Sequence, residues 1–236
     1  ALVAVSSGLL LYASFPPLEW ANAAWVALVP LLLLAAGSTP RQACGWGFGG
    51  GLVFWIGNLA WFWSLARNSP TPWPLVVLGW LGTAAYLALY LGGFCLTAAF
   101  WTRAWGTQRV ALNTILIFGL AALWVGFEYL RAIVWIGCPW NQLGISQYRN
   151  LDLTMIQVAE WTGVYGVSAL IVVVNTGVAL ILLRYARLLR EPLPPGGRFY
   201  RPHPELFVAL IALLLVHFQV GPILIRQHRA RYIDNP

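Results

Sequence analysis

The chain has 236 residues, of which 60% are hydrophobic and 9% charged, with a mean hydropathy of +0.72. Soluble domains carry about 25% charged residues, so this composition excludes an ordinary water-facing surface and points to lipid, which accepts apolar side chains directly. The formal charge of +7 rests on arginine alone, because the chain has no lysine. The arginines stand between apolar runs, where topology and lipid headgroups explain them better than nucleic acid, so no nucleic-acid partner is expected.

Seven apolar segments follow in order: Ala1–Phe15, Trp20–Ala36, Ala43–Trp63, Pro74–Trp101, Val110–Leu130, Trp161–Leu183 and Leu206–Ile225. Backbone groups in lipid must be satisfied within the segment, which favours helices. Transmembrane strands would need alternating segments of about ten residues, and these runs are continuous. The expected fold is all-α, a polytopic transmembrane helix bundle of about seven helices.

The first run would span only about 22 Å as a helix, less than the roughly 30 Å hydrocarbon core. It shows no basic n-region or small-residue cleavage motif of a signal peptide, so it reads as a first transmembrane helix cut at its N-terminus. Between Ala43 and Trp63, two Gly-x-x-x-Gly spacings, Gly45/Gly49 and Gly47/Gly51, suit close helix–helix approach. A phosphate-cradling loop would need a preceding strand, which the apolar pattern does not supply. Cys44, Cys95 and Cys138 lie in or beside apolar runs without metal-type spacing, and read as small buried hydrophobes. No metal or cofactor is expected.

Arginine placement sets the predicted orientation. One set of loops holds Arg41, Arg103, Arg109, Arg184, Arg187, Arg190, Arg198 and Arg201; the other holds Arg67, Arg131 and Arg149. The richer set should be cytoplasmic, and with it the N-terminus. The Ile133–Glu160 connection then faces outward, and the last helix exits outward before Arg226, Arg229 and Arg231.

Charge within a bilayer costs about 2.5–3.5 kcal/mol per residue on insertion scales. Glu128 and Arg131 end the fifth segment at i,i+3, on one face, where they can pair. They read as a structural ion pair or as a headgroup or substrate contact. The outward connection, with Gly137, Pro139 and Gly144, cannot be one continuous helix. It should place Trp140, Asn141, Gln142, Gln147 and Tyr148 near headgroup level, as an interfacial anchor or as groups that recognise phosphate, glycerol or amide. Glu160 suits the N-terminal dipole of the sixth helix. His217 reads as a packed or hydrogen-bonded residue, His203 and His228 as loop residues, and Arg184–Glu205 as a cytoplasmic linker.

Four stretches carry a family resemblance. They are Phe15-Pro16-Pro17-Leu18-Glu19-Trp20; Gly45-Trp46-Gly47-Phe48-Gly49 with Asn58-Leu59-Ala60-Trp61; Glu128-Tyr129-Leu130-Arg131 with Gly137-Cys138-Pro139-Trp140 and Leu143–Gln147; and Gly163–Ser168 with Asn175. In this order, over nearly the whole chain, they resemble the membrane domain of bacterial apolipoprotein N-acyltransferases. The family usually has Phe where Cys138 stands and often Gly where Ala132 stands.

The resemblance implies a multi-pass protein of the bacterial inner membrane, monomeric. It implies transfer of an acyl chain from a phospholipid to the N-terminal diacylglyceryl-cysteine of a lipoprotein, by a ping-pong route through a cysteine thioester. It also implies that a Glu, a Lys and the nucleophilic Cys lie in a nitrilase-like domain on the outer face. Without lysine this chain cannot supply that set, so residues 1–231 are expected to be the membrane domain and 232–236 the start of the catalytic one. No catalytic residue is assigned, and the chain alone is expected to be inactive. Candidate lipid- or substrate-binding residues are Glu128, Arg131, Trp140, Asn141, Gln147 and Tyr148. The alternatives are a membrane transporter, or a non-catalytic lipid-binding membrane protein.

Overall fold

The computed structural model describes residues 1–105, 110–149, 154–188, 211 and 214–232. The helices are α1 (Leu2–Ala13), α2 (Val29–Gly37), α3 (Pro40–Asn58), α4 (Phe62–Asn68), α5 (Trp73–Trp105), α6 (Val110–Ile133), α7 (Ala159–Leu188) and α8 (Gly221–Tyr232). Among the described residues there is no strand, so the chain is an all-α membrane helix bundle. Arg109, Arg190, Arg198, Arg201 and His203 lie outside the described residues, as do residues 150–153 of the outward connection and most of the expected linker.

By length and composition, four stretches can cross a membrane: Pro40–Asn68, Trp73–Arg103, Ala111–Ile133 and Met155–Ala186. The first two apolar segments form shorter helices. The second is not the single helix its hydropathy predicts. It opens as a 3-10 turn, Ala21–Trp25, and becomes α-helical only at Val29. Pro30 sits in the first turn of α2, where its missing N–H costs nothing; a helix continuing from Trp25 would place it where that N–H is needed.

The break is buried yet satisfied. Asn175 Oδ1 accepts the Leu28 N–H at 2.8 Å, and Asn175 Nδ2 donates to Ala24 O at 2.9 Å. Ser7 Oγ donates to Ala27 O. Side chains of α1 and α7 thus do what a helical ladder would otherwise do.

Helix α3 starts on a capping box: Thr39 Oγ1 accepts from Gln42 N, and the Gln42 side chain accepts from Thr39 N. Thr-Pro-x-Gln is a recognised helix start, so the helix begins three residues before its apolar run. It packs most extensively on α5. Only one of its two glycine pairs makes that contact. A Cβ at Gly47 would meet Leu91 O and Cys95, and one at Gly51 would meet Ala88, whereas Gly45 and Gly49 face open space. Overpacking a tight crossing costs about 1–3 kcal/mol. Gly47→Leu is therefore expected to lower the thermal midpoint of the purified protein, while Gly49→Leu leaves it unchanged. Equal midpoints for the two variants in a detergent melting series would show that the crossing tolerates a side chain.

Helix α6 runs one turn beyond its expected end at Leu130. Helix α7 bends at Gly163, whose φ of 63° and ψ of −170° are non-helical and open to glycine at little cost. Glu160 stands in its first turn. A π-helical turn, Val216–Val220, precedes α8, and His217 Nδ1 lies 3.0 Å from Thr154 Oγ1. Cys95 and Cys138 are buried and Cys44 half-buried, all with free thiols.

Candidate functional site

Residues Trp124, Glu128 and Arg131 are spaced four and three apart on α6, so they share one face. All three line a half-open pocket in the bundle with a cavity volume of about 40 Å³. Phe15, Phe54, Trp55, Phe94 and Phe127 supply much of its apolar wall. Glu128 and Arg131 are each 4% exposed, so both charges lie within the protein.

The pair does not meet as the i,i+3 spacing suggests. The one ion pair within contact distance among the described residues is Arg149–Glu19. Glu128 Oε1 instead accepts the Leu143 N–H at 2.6 Å, with Ser168 and Trp124 beside the carboxylate. The Arg131 guanidinium lies over the Trp55 ring, 4.8 Å from its centroid, a cation–π geometry. The reason is the outward connection. It folds back so that Leu143–Gln147 forms a buried 3-10 turn, and its free N–H groups draw Glu128 away from Arg131. Gly144 N continues the pattern by donating to Ser168 Oγ at 2.8 Å.

Three polar atoms of this wall make no hydrogen bond of good geometry, Glu128 Oε2, Arg131 Nη1 and Trp124 Nε1, although the Trp124 indole is set beside the Glu128 carboxylate. A buried unsatisfied group costs about 1–3 kcal/mol, so three on one helix face are a concentrated expense. Clusters of this kind mark functional sites.

The other candidates divide. Asn141 also lines the cavity; with φ at 50°, it donates to Asn58 Oδ1 at 2.6 Å. Trp140 is exposed and meets Trp61 edge-on, with centroids 5.6 Å apart. The end of α3 and the outward connection are thereby joined. Gln147 and Gln142 are buried rather than at headgroup level. Gln147 accepts from Trp25 Nε1 at 3.1 Å and donates to Ala21 O at 2.9 Å, so it braces the broken second segment. Tyr148 is exposed and donates to Glu19, which also binds Arg149. That hydrogen bond is the main reason the Tyr148 hydroxyl titrates above its ordinary range.

Sequence reasoning missed Trp124 and Trp55 as wall residues. Trp124 was open to detection, four residues before Glu128 on the same face. Trp55 was not, because only the tertiary fold brings α3 to Arg131.

Fold and cavity together define a membrane helix bundle that holds a partly unsatisfied polar cluster within an aromatic chamber. The profile of the family described as "Apolipoprotein N-acyltransferase N-terminal domain" matches residues 7–177. An apolipoprotein N-acyltransferase of Geobacter metallireducens is 38% identical over 93% of this chain and 39% of its own length. Apolipoprotein N-acyltransferase 1 of Treponema pallidum is 33% identical over 63% of this chain and 24% of its own. A relative in Allorhizobium ampelinum is 32% identical over 77% of this chain and 34% of its own. The chain belongs to the apolipoprotein N-acyltransferase N-terminal domain family. It is a bacterial membrane protein and spans well under half the length of these relatives.

Proposed function

We propose that the chain is the membrane half of an enzyme that acylates the N-terminal diacylglyceryl-cysteine of lipoproteins, using phospholipid as acyl donor. In that reaction an acyl group passes from the phospholipid ester to a cysteine thiol, releasing a lysophospholipid. The lipoprotein α-amine then attacks the thioester, forming an amide and returning the thiol. A Glu base, a cation and the thiol perform those steps in a nitrilase-like site. No lysine is present here, so the catalytic set belongs to a domain outside this chain. The membrane half holds that domain at the outer leaflet of the inner membrane, with its own N-terminus cytoplasmic, and admits lipid from the side.

The single observation behind this reading is the chamber itself, an apolar cavity with buried polar groups placed among membrane-spanning helices. Lipid substrates need that combination, because the tail is apolar and the reacting linkage is polar. Glu128, Arg131 and Asn141 line it, and Trp140, next in sequence to Asn141, packs edge-on against Trp61.

The test joins this chain to the catalytic domain of the Geobacter metallireducens relative and expresses the hybrid in cells depleted of their own enzyme. Mass spectrometry of a lipoprotein N-terminus should show the amide-linked acyl chain. In the same hybrid, Trp140→Ala should lower acyl transfer at least tenfold, about the effect of one lost packing anchor, while leaving the melting temperature nearly unchanged. A well-folded, membrane-inserted hybrid with no transfer would count against the reading. Normal transfer by the Trp140→Ala hybrid would reduce Trp140 to an interfacial anchor.

A further inference from the structure

The close crossing of α3 and α5 brings two cysteines to one level. Gly51 meets Ala88, and Gly47 meets Leu91 and Cys95, so the two helices run antiparallel. Seven residues back from Gly51 is Cys44, and seven on from Ala88 is Cys95. Seven residues make about two turns, which returns both positions to the facing sides. The contacts at that level agree. A Cβ on Gly47 would lie 2.8 Å from both Cβ and Sγ of Cys95, and one on Gly92 would lie 3.2 Å from Cys44 O and 3.5 Å from its Sγ. The two thiols are also electrostatic neighbours. A disulfide needs Cα atoms within about 7 Å. Gly47 and Gly92 favour that approach by leaving no side chain between the backbones.

We infer that Cys44 and Cys95 are an oxidisable dithiol, which a small peroxide converts to a disulfide joining α3 to α5. Cys44 is half-buried and Cys95 buried, so Cys44 meets the oxidant first. Its sulfur attacks one peroxide oxygen, the O–O bond breaks, and a sulfenic acid and water form. The Cys95 sulfur then displaces the hydroxyl group from Cys44, and the Cys95 proton leaves with it as a second water. Two thiols are oxidised and one peroxide is reduced. Arg41 and Arg103 flank the pair in sequence, and on the arginine count that end of both helices faces the cytoplasm. Cytoplasmic thiols keep such a pair reduced, so the bond marks peroxide exposure and is reversed afterwards. Helices α3 and α5 supply Trp55 and Phe94 to the pocket wall, so the bond pins two sides of that pocket together. None of this requires the acyltransferase reading.

The test treats the full-length protein in nanodiscs with hydrogen peroxide, caps the remaining thiols with N-ethylmaleimide in dodecyl sulfate, and digests without reductant. With no lysine in this chain, trypsin cuts only at arginine and places the cysteines on separate peptides, Gln42–Arg67, Asn68–Arg103 and Ala132–Arg149. Mass spectrometry should find the first two joined. Of the three thiols of this chain, two should be lost to maleimide, and dithiothreitol should restore both. Cys138→Ser should leave the joined pair unchanged. Cys44→Ser, at the half-buried position, should abolish it.

A sulfinic acid at Cys44 with Cys95 still open to maleimide, a link from either residue to Cys138, or a link between two chains would overturn the proposal. So would three thiols unchanged after peroxide, which would leave both cysteines as packing residues of the crossing. If Cys44→Ser lowers the yield of folded protein, oxidation of the unaltered chain still decides, because the joined peptides are read from it directly.

Discussion

Replacing Arg131 with Met is expected to destabilise the protein by about 3–5 kcal/mol, and adding Glu128→Leu in the same chain should recover most of that loss. Both side chains are buried on one face of α6. They do not touch, yet each is the nearest compensating charge for the other within a low-dielectric chamber. Removing the guanidinium leaves a carboxylate that keeps one backbone donor, Leu143 N, and has an open second oxygen. The single variant therefore carries an uncompensated buried charge. The double variant carries none, and its apolar replacements fill similar volume. The cycle would be read from unfolding in mixed micelles, with insertion checked by protease protection. A double variant no more stable than Arg131→Met would mean that the two charges are independently satisfied. The double variant should also lose acyl transfer in the hybrid enzyme, since stability would be restored without the polar cluster.

How this cluster was legible follows from cost. An acidic and a basic residue at the end of an apolar run violate the membrane rule, so Glu128 and Arg131 announce themselves. Trp124 does not, because a Trp in an apolar run satisfies every pattern; its significance lies in an indole set beside the Glu128 carboxylate. The direct Glu128–Arg131 pair was a reasonable local inference from i,i+3 spacing. It failed because Leu143, fifteen residues away, offers a free backbone N–H at closer range. The Asn58–Asn141 bond joins positions 83 residues apart, and no helical period encodes it. Apolar runs give helix type and approximate ends, since lipid leaves the backbone few options. They do not show where a helix breaks when side chains from other helices take over the freed groups.

Asn175 is the strongest example of such a takeover, and Asn175→Leu is expected to be among the most damaging single changes in the chain. The side chain is fully buried at 0% exposure. It receives the Leu28 N–H, donates to Ala24 O, and donates again to Ile171 O within its own helix. Leucine keeps the approximate volume, orphans the Leu28 N–H and leaves Ala24 O with only the long bond from Ala27 N, at 3.4 Å. At about 1–3 kcal/mol for an orphaned group, the Leu28 N–H alone sets a loss of about 1–3 kcal/mol. Side-chain hydrogen bonds between membrane helices average only about 0.6 kcal/mol, because the separated helices find other partners. That discount does not apply to Leu28 and Ala24. They could bond each other only in a continued helix, and Pro30 opposes that helix because its ring clashes with the Val26 carbonyl four residues back. Thr97→Val is the matched control: Thr97 bonds only to Gly93 O of its own helix, so its loss should cost under about 1 kcal/mol. Hydrogen exchange localises the effect. In Asn175→Leu the amides between Ala21 and Leu28 should lose protection while those of α3 and α5 keep theirs. Unchanged protection at Leu28 would mean that the break is held by the Ser7 contact and the packing of α1 alone.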